Sequence, residues 1–173
     1  MILSFDLGTC YMGVCALYLN SRIVDWMIWN KMDQIPELVL TLDVWMSLII
    51  DQCDDRKQFD VVIERQPPRN RKTNRIVTVL ETYFHTAWRQ NCNSIRVLHS
   101  NIKWTHVLKR YIPKTYKERK KECVRECVDV LVQKNETDEW KEFFRTNKKR
   151  DDLADAYLQA QYLAVDHDVG HVH

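Results

Sequence analysis

Leu3-Ser4-Phe5-Asp6-Leu7-Gly8 reads as an apolar strand that runs into an acid and then a glycine. Short apolar runs bounded by turn residues mark buried strands, so Ile2–Leu7 is expected as the first strand, with Asp6 near its end. Gly8 and Gly13 are two of only three glycines in 173 residues, where about 7% glycine is usual. Their clustering after Asp6 points to a backbone need, since glycine permits positive φ and close approach to the main chain.

Working outward, Met12–Leu19 and Arg22–Trp29 read as the second and third strands, tightly connected through Asn20-Ser21, which gives three antiparallel strands. Pro36 opens a helix to about Cys53, with Leu38, Leu42, Trp45, Met46, Ile49 and Ile50 on one broad stripe. Asp60–Glu64 is short and β-branched, a fourth strand. After the Pro67-Pro68 break, a helix from about Thr73 to Asn91 leads to a fifth strand at Ile95–His99. That βαβ unit implies a parallel pair. The predicted class is therefore α/β: a five-stranded mixed sheet, three antiparallel strands then two parallel, with helices on both faces. Further helices are expected at Asn101–Tyr111, Tyr116–Gln133, near Asp138–Phe144 and from about Asp151 to Val165. With no repeat, low-complexity tract or linker, residues 1–173 read as a single domain.

A content of 45% hydrophobic and 29% charged residues is that of a soluble globular protein and speaks against disorder. A net charge of +2 does not by itself mark a nucleic-acid binder; the distribution of charge says more. Acids dominate residues 25–60, and then Arg65, Arg69, Arg71, Lys72 and Arg75 follow closely. Two more basic runs, Lys114 to Arg125 and Arg145 to Arg150, contain Lys117, Lys120, Lys121, Lys148 and Lys149. Charge runs are commonly just solvated faces, but these three flank acids of interest. The cysteines at 10, 15, 53, 92, 123 and 127 form no CxxC pair, and no leader pattern precedes the first strand. Reduced thiols in an intracellular compartment are expected. The longest apolar stretch, Leu38 to Ile50, is interrupted by Asp43 and too short to span a bilayer.

Four carboxylates then stand out. Asp6 and Glu64 end the first and fourth strands, which this order would set side by side. Asp152 and Asp155 are three apart in Lys148-Lys-Arg-Asp-Asp-Leu-Ala-Asp-Ala-Tyr, hence on one helical face with Cβ atoms about 5–6 Å apart. Leu153, Ala156, Tyr157, Ala160 and Leu163 form the neighbouring apolar stripe. Asp151 can replace Asp152 at a spacing of four, and spacing leaves that choice open. Acids at a helix start also stabilise its dipole, which explains Asp151 and Asp152 but Asp155 less well. Hard oxygen ligands suit Mg2+ or Mn2+, one or two ions, and a pair of ions stabilises both the attacking and leaving oxygens of a phosphodiester.

At this point the chain resembles the RuvC-type Holliday-junction resolvases of the RNase H-like superfamily. Asp6-x-Gly8-x4-Gly13 is similar to that family's first motif. Val61-Val-Ile-Glu64-Arg65-Gln66, followed by Arg69, resembles its fungal mitochondrial and poxvirus-like branch, and Asp152-Leu-Ala-Asp155-Ala its terminal motif. The resemblance implies that Asp6, Glu64, Asp152 and Asp155 are metal ligands and that Lys103, in Leu98-His-Ser-Asn-Ile-Lys103, approaches the scissile phosphate. It implies a homodimer that nicks two strands of like polarity across a four-way DNA junction, and a viral source would set it in the host cytoplasm. The broad apolar face of the helix after Glu64, from Ile76 to Trp88, suits either a second subunit or burial under another helix.

Arg65, Gln66, Arg69, Arg71, Lys72, Arg75, Lys117, Lys120, Lys121, Lys148 and Lys149 are the expected DNA contacts, phosphate neutralisers rather than base readers. Trp88, Trp104 and Tyr111 are candidates for stacking on unpaired bases, although such spacing more often marks a core. His167, His171 and His173 read as a frayed terminus rather than a metal trap. Three other functions compete: an RNase H-like nuclease for RNA–DNA hybrids or flaps, an actin-like ATPase suggested by Asp6-Leu-Gly-Thr9, and a silent DNA-binding relative. The ATPase needs a second nucleotide-gripping hairpin that few glycines can supply, and the silent relative would normally have lost an acid.

Overall fold

β1 (Ile2–Leu7) is buried along its whole length and is the middle strand of a five-stranded sheet of order β3-β2-β1-β4-β5. β2 (Tyr11–Leu17) and β3 (Ile23–Asn30) pair antiparallel, as do β1 and β2, whereas β4 (Phe59–Glu64) lies parallel to β1 and β5 (Cys92–Leu98) parallel to β4. This is the predicted mixed sheet. The computed structural model describes residues 1–8, 10–30, 34–52, 58–102 and 115–170, with side chains as far as Asp166.

The β2–β3 connection is as tight as Asn20-Ser21 suggests. Tyr18 N–H donates to the Arg22 carbonyl at 2.9 Å, and Ser21 takes a φ of 68°. That closure ends β2 at Leu17, two residues before the expected Leu19. α1 (Ile35–Ile50) has proline in its first turn and buries the six residues of the expected stripe. α2 (Arg71–Ala87) stops before the expected Asn91 because the chain turns there, with Cys92 N–H donating to the Trp88 carbonyl at 2.8 Å, and β5 begins directly at Cys92. α3 (Tyr116–Gln133) starts at a Thr115–Glu118 capping box, which satisfies otherwise orphaned amide groups. α4 (Asp138–Thr146) and α5 (Arg150–Gly170) complete the chain. The helix expected at Asn101–Tyr111 lies mostly outside the described residues, as do Lys103, Trp104 and Tyr111.

Alternation along the strands sends successive side chains to opposite faces. Leu3, Phe5, Leu7, Val61 and Ile63 pack with α1 and α2, joined by Trp29, Trp45, Phe59 and Phe84. Ile2, Cys15, Leu17, Trp26 and Val62 pack with α3, α4 and α5 on the other face. The wide apolar face of α2 is covered within the chain: Ile76, Val77, Leu80, Tyr83 and Phe84 are buried, and Tyr83 Oη donates to Asp43 of α1 at 2.7 Å. Trp88 packs partly buried against this core, edge-on to Phe59 and donating Nε1–H to Tyr83 Oη at 3.0 Å. α5 departs from the expected single stripe. Ala154, Leu158, Gln159, Gln161 and Ala164 are buried as well, because the helix is covered by the sheet on one side and by α3 and α4 on the other. Among the described residues, no helix is long and apolar enough to cross a membrane.

Candidate active site

The same alternation decides which way the strand acids point. Ile2 and Val62 belong to the α5-side core, so Asp6 and Glu64, an even number of residues further on, share that face. β1 and β4 run parallel with Phe5 opposite Ile63, and the next residue on each strand is Asp6 and Glu64. Two carboxylates thus stand together at the carboxyl ends of adjacent parallel strands, the edge at which open α/β sheets bind ligands.

Gly13 sets the distance from this edge to α5. It pairs with Asp6 across the β1–β2 ladder. A Cβ at Gly13 would lie 2.3 Å from the Asp152 carbonyl oxygen and 3.3 Å from Ala156 Cβ, so only glycine lets the first turn of α5 rest directly on β2 beside Asp6. Trp26 Nε1–H pins the same turn by donating to the Leu153 carbonyl at 3.0 Å. Neither Gly8 nor Gly13 has a positive φ. The need is space: a Cβ at Gly8 would come within 2.6 Å of the Tyr11 carbonyl, which accepts the Gly8 N–H at 2.9 Å.

Asp6, Glu64, Asp151, Asp152 and Asp155 all line one cleft of about 550 Å³. Asp6 and Asp155 are nearly buried, and Glu64 and Asp152 are half-buried. Their companion was not foreseen. Lys120, expected on the DNA-facing surface, instead reaches from α3 to the acids of α5, its Nζ lying 2.9 Å from Asp152, 3.0 Å from Asp151 and 3.6 Å from Asp155. Burial alone would lower its pKa. The charge of Asp155 and the hydrogen bonds to Asp152 and Asp151 outweigh burial and hold the ammonium protonated well above its ordinary range. The physical reason for the difference is that α3 packs across α5 and carries the lysine stem inward.

Among the described residues, no three His, Cys, Asp or Glu side chains are disposed to hold a metal ion as they stand. The donors nonetheless suit a hard divalent cation, since they are carboxylate oxygens and three of them already surround a positive charge. Asp151 and Asp152 both reach the lysine, with Asp152 the more recessed. Cys123, one turn beyond Lys120 on the same face of α3, donates its thiol to Asp155 Oδ1 at 2.8 Å. Lys120 and Cys123 were legible only as a spacing of three on a basic, cysteine-containing helix.

Of the expected DNA contacts, Lys149 lines the cleft with its ammonium 4.1 Å from the centre of the Tyr11 ring. Gln66 also lines it, is buried, and donates its amide to the Glu64 carbonyl at 3.4 Å at the end of β4. Arg65, Arg69, Arg71, Lys72, Arg75, Lys117, Lys121 and Lys148 are exposed. Arg119, Tyr116, Asn70 and Asn101 line the cleft and had not been singled out. His171 and His173 lie outside the described residues, as does the side chain of His167.

Comparison with solved structures finds the same fold in fowlpox virus resolvase, solved with its substrate Holliday junction DNA, at 14% identity and a TM-score of 0.66, covering 96% of this chain and 97% of that one. Thermus thermophilus RuvC in complex with a Holliday junction substrate matches at 14% identity and a TM-score of 0.62, covering 98% and 95%. No curated protein matches the chain by sequence. The family model described as Poxvirus A22 protein matches residues 1–167. The chain therefore belongs to the Poxvirus A22 protein family, the poxvirus branch of the RuvC-type, RNase H-like resolvases.

Proposed function

We propose that this protein resolves four-way DNA junctions by divalent-metal-dependent hydrolysis, its 173 residues forming one nuclease domain that acts as a homodimer. The observation that carries this reading is the meeting of Asp6, Glu64, Asp152 and Asp155 in one cleft, with a cationic Lys120 among the α5 acids, in a chain of this family. The junction DNA bound by the fowlpox and Thermus relatives supports the substrate.

Asp6, Glu64, Asp152 and Asp155 are the residues that would hold Mg2+ or Mn2+, one or two ions. When bound, the metal supplies an activated water and charge stabilisation for the attacking and leaving oxygens. The strand acids give the site rigidity, because both sit in a hydrogen-bonded sheet, whereas α5 brings its acids up as one unit. Lys120 holds the α5 acids against their mutual repulsion and, lining the same cleft, would offer its charge to a bound phosphate. Lys103 takes the phosphate-facing role that the resemblance gives it. Arg65, Arg69, Arg71, Lys72, Arg75, Lys117, Lys121, Lys148 and Lys149 neutralise backbone phosphates on the arms, which makes binding salt-dependent. The reduced thiols of Cys10, Cys15, Cys92, Cys123 and Cys127 suit a reducing compartment, the host cytoplasm for a viral protein.

The test is incubation with a mobile four-way junction, with and without Mg2+, against duplex and RNA–DNA hybrid competitors, with nicks mapped at nucleotide level. Paired symmetric nicks that need the metal are expected. Asp152→Asn and Glu64→Gln should abolish cleavage while junction binding persists, and a near-parental rate from either variant would remove the assigned roles.

A further inference from the structure

The two oxygens of Asp155 have different surroundings. Oδ2 lies on the Lys120 side, 3.6 Å from the ammonium, and Oδ1 accepts the Cys123 thiol at 2.8 Å. Cys123 is 1% exposed and Asp155 8%, so water does not compete freely for this contact. Most buried cysteines act as small hydrophobes with a weak S–H donor. Here the donor meets a carboxylate, and hydrogen bonds to ionised acceptors are the stronger kind. A carboxylate with one oxygen tethered loses much of its broad χ2 freedom, and the other oxygen is then presented in one direction.

We propose that Cys123 is a positioning residue: its thiol fixes Oδ1 of Asp155 and so aims Oδ2 into the cleft as a cation ligand. The proposal rests on the reading of Asp155 as a metal ligand given above. Carboxylates that bind metals are ordinarily held by outer hydrogen bonds, whose removal lowers metal affinity about 10–100-fold. A thiol donor belongs at the weak end, about tenfold. Cys127, one turn further along α3 and equally buried, has its thiol pushed up by burial and by the nearby Asp155 charge, and it serves as the control position.

The experiment follows Mn2+ binding to the full chain by electron paramagnetic resonance, together with thermal unfolding in the absence of metal. Cys123→Ala should keep its metal-free melting temperature close to wild type yet bind Mn2+ about tenfold more weakly. Cys123→Ser keeps a donor, so it should bind Mn2+ near the wild-type affinity even though burying a hydroxyl lowers its melting temperature. Cys127→Ala should bind as wild type does. A purely structural thiol would not produce opposite orders of affinity and stability. Wild-type affinity in Cys123→Ala, or affinity losses that track melting temperature across the variants, would overturn the proposal. Asp155→Asn separates the two levels: if it binds Mn2+ as tightly as wild type, or wild type binds none, the metal reading of Asp155 falls and the proposal with it.

Discussion

The two faces of the sheet are built from alternate residues of the same strands, yet they do opposite things. The α1–α2 face is an aromatic slab, in which Phe5 meets Trp29, Trp45 and Phe84 with ring centroids 5.7–6.2 Å apart. The α5 face has buried Ser4, Asp6, Asp155, Gln159 and Gln161 among its apolar side chains, and the helix against it is lined with Ala154, Ala156, Ala160 and Ala164. Large side chains give one face stability. Small ones let a helix backbone settle on the other, so that its acids reach those at the strand ends. The first face is a support and the second carries the candidate site, separated by one residue of register.

That contrast breaks most visibly on the aromatic side. Phe84→Ala empties a wholly buried site and should cost about 3–5 kcal/mol, a fall in melting temperature of roughly 6–20 °C for a chain of this length, while cleavage per folded molecule is unchanged. A collapse of cleavage in the folded fraction would show that the faces are not separable. Gly13→Ala should cost about 1–3 kcal/mol and also lower junction cleavage by about 100-fold, the expected consequence of an ångström's displacement at the reacting groups. Parental cleavage by that variant would mean that α5 need not rest on β2.

Mg2+ at about 100 times its Kd should raise stability by about 2.7 kcal/mol, seen as a higher melting temperature that Asp152→Asn abolishes. An unchanged melting temperature on titration would remove the cation from the α5 face. The smallest effect lies at the far end of that face. Burial raises the Glu136 pKa, opposed by the Ile23 N–H and by the charges of Arg22 and Lys141. The unfavourable burial of its charge is felt fully above the raised value and is relieved as pH falls through it. Glu136→Gln should therefore melt slightly higher than wild type near pH 7, with the gain shrinking as pH falls towards the ordinary carboxylate value of 4.5. A gain that stayed constant with pH would assign the difference to packing.

The strands, their order and the four acids were legible because each is a local or periodic signal: an apolar run that ends in an acid, a βαβ spacing, two aspartates one turn apart. Helix ends were less so, since α2 is ended by the turn from Trp88 to Cys92 and α5 is longer than its apolar stripe suggests. Gly13 was noticed for its scarcity, but its reason, the 2.3 Å approach to the Asp152 carbonyl, lies 139 positions away in the chain. Gln66, expected as a DNA contact, lines the cleft and also donates its amide to the Glu64 carbonyl. Lys120 looked like one more member of a basic run.

By itself the sequence determined which residues carry charge, which face of each strand is apolar and which acids are able to share a helical face, because those properties depend on neighbours a few positions apart. Only the tertiary structure decided that Lys120 and Cys123 serve the acids of α5 rather than solvent. The physical reason is that the crossing of α3 over α5 is fixed by packing between segments about thirty residues apart, and no local pattern records which side chains such a crossing brings into contact.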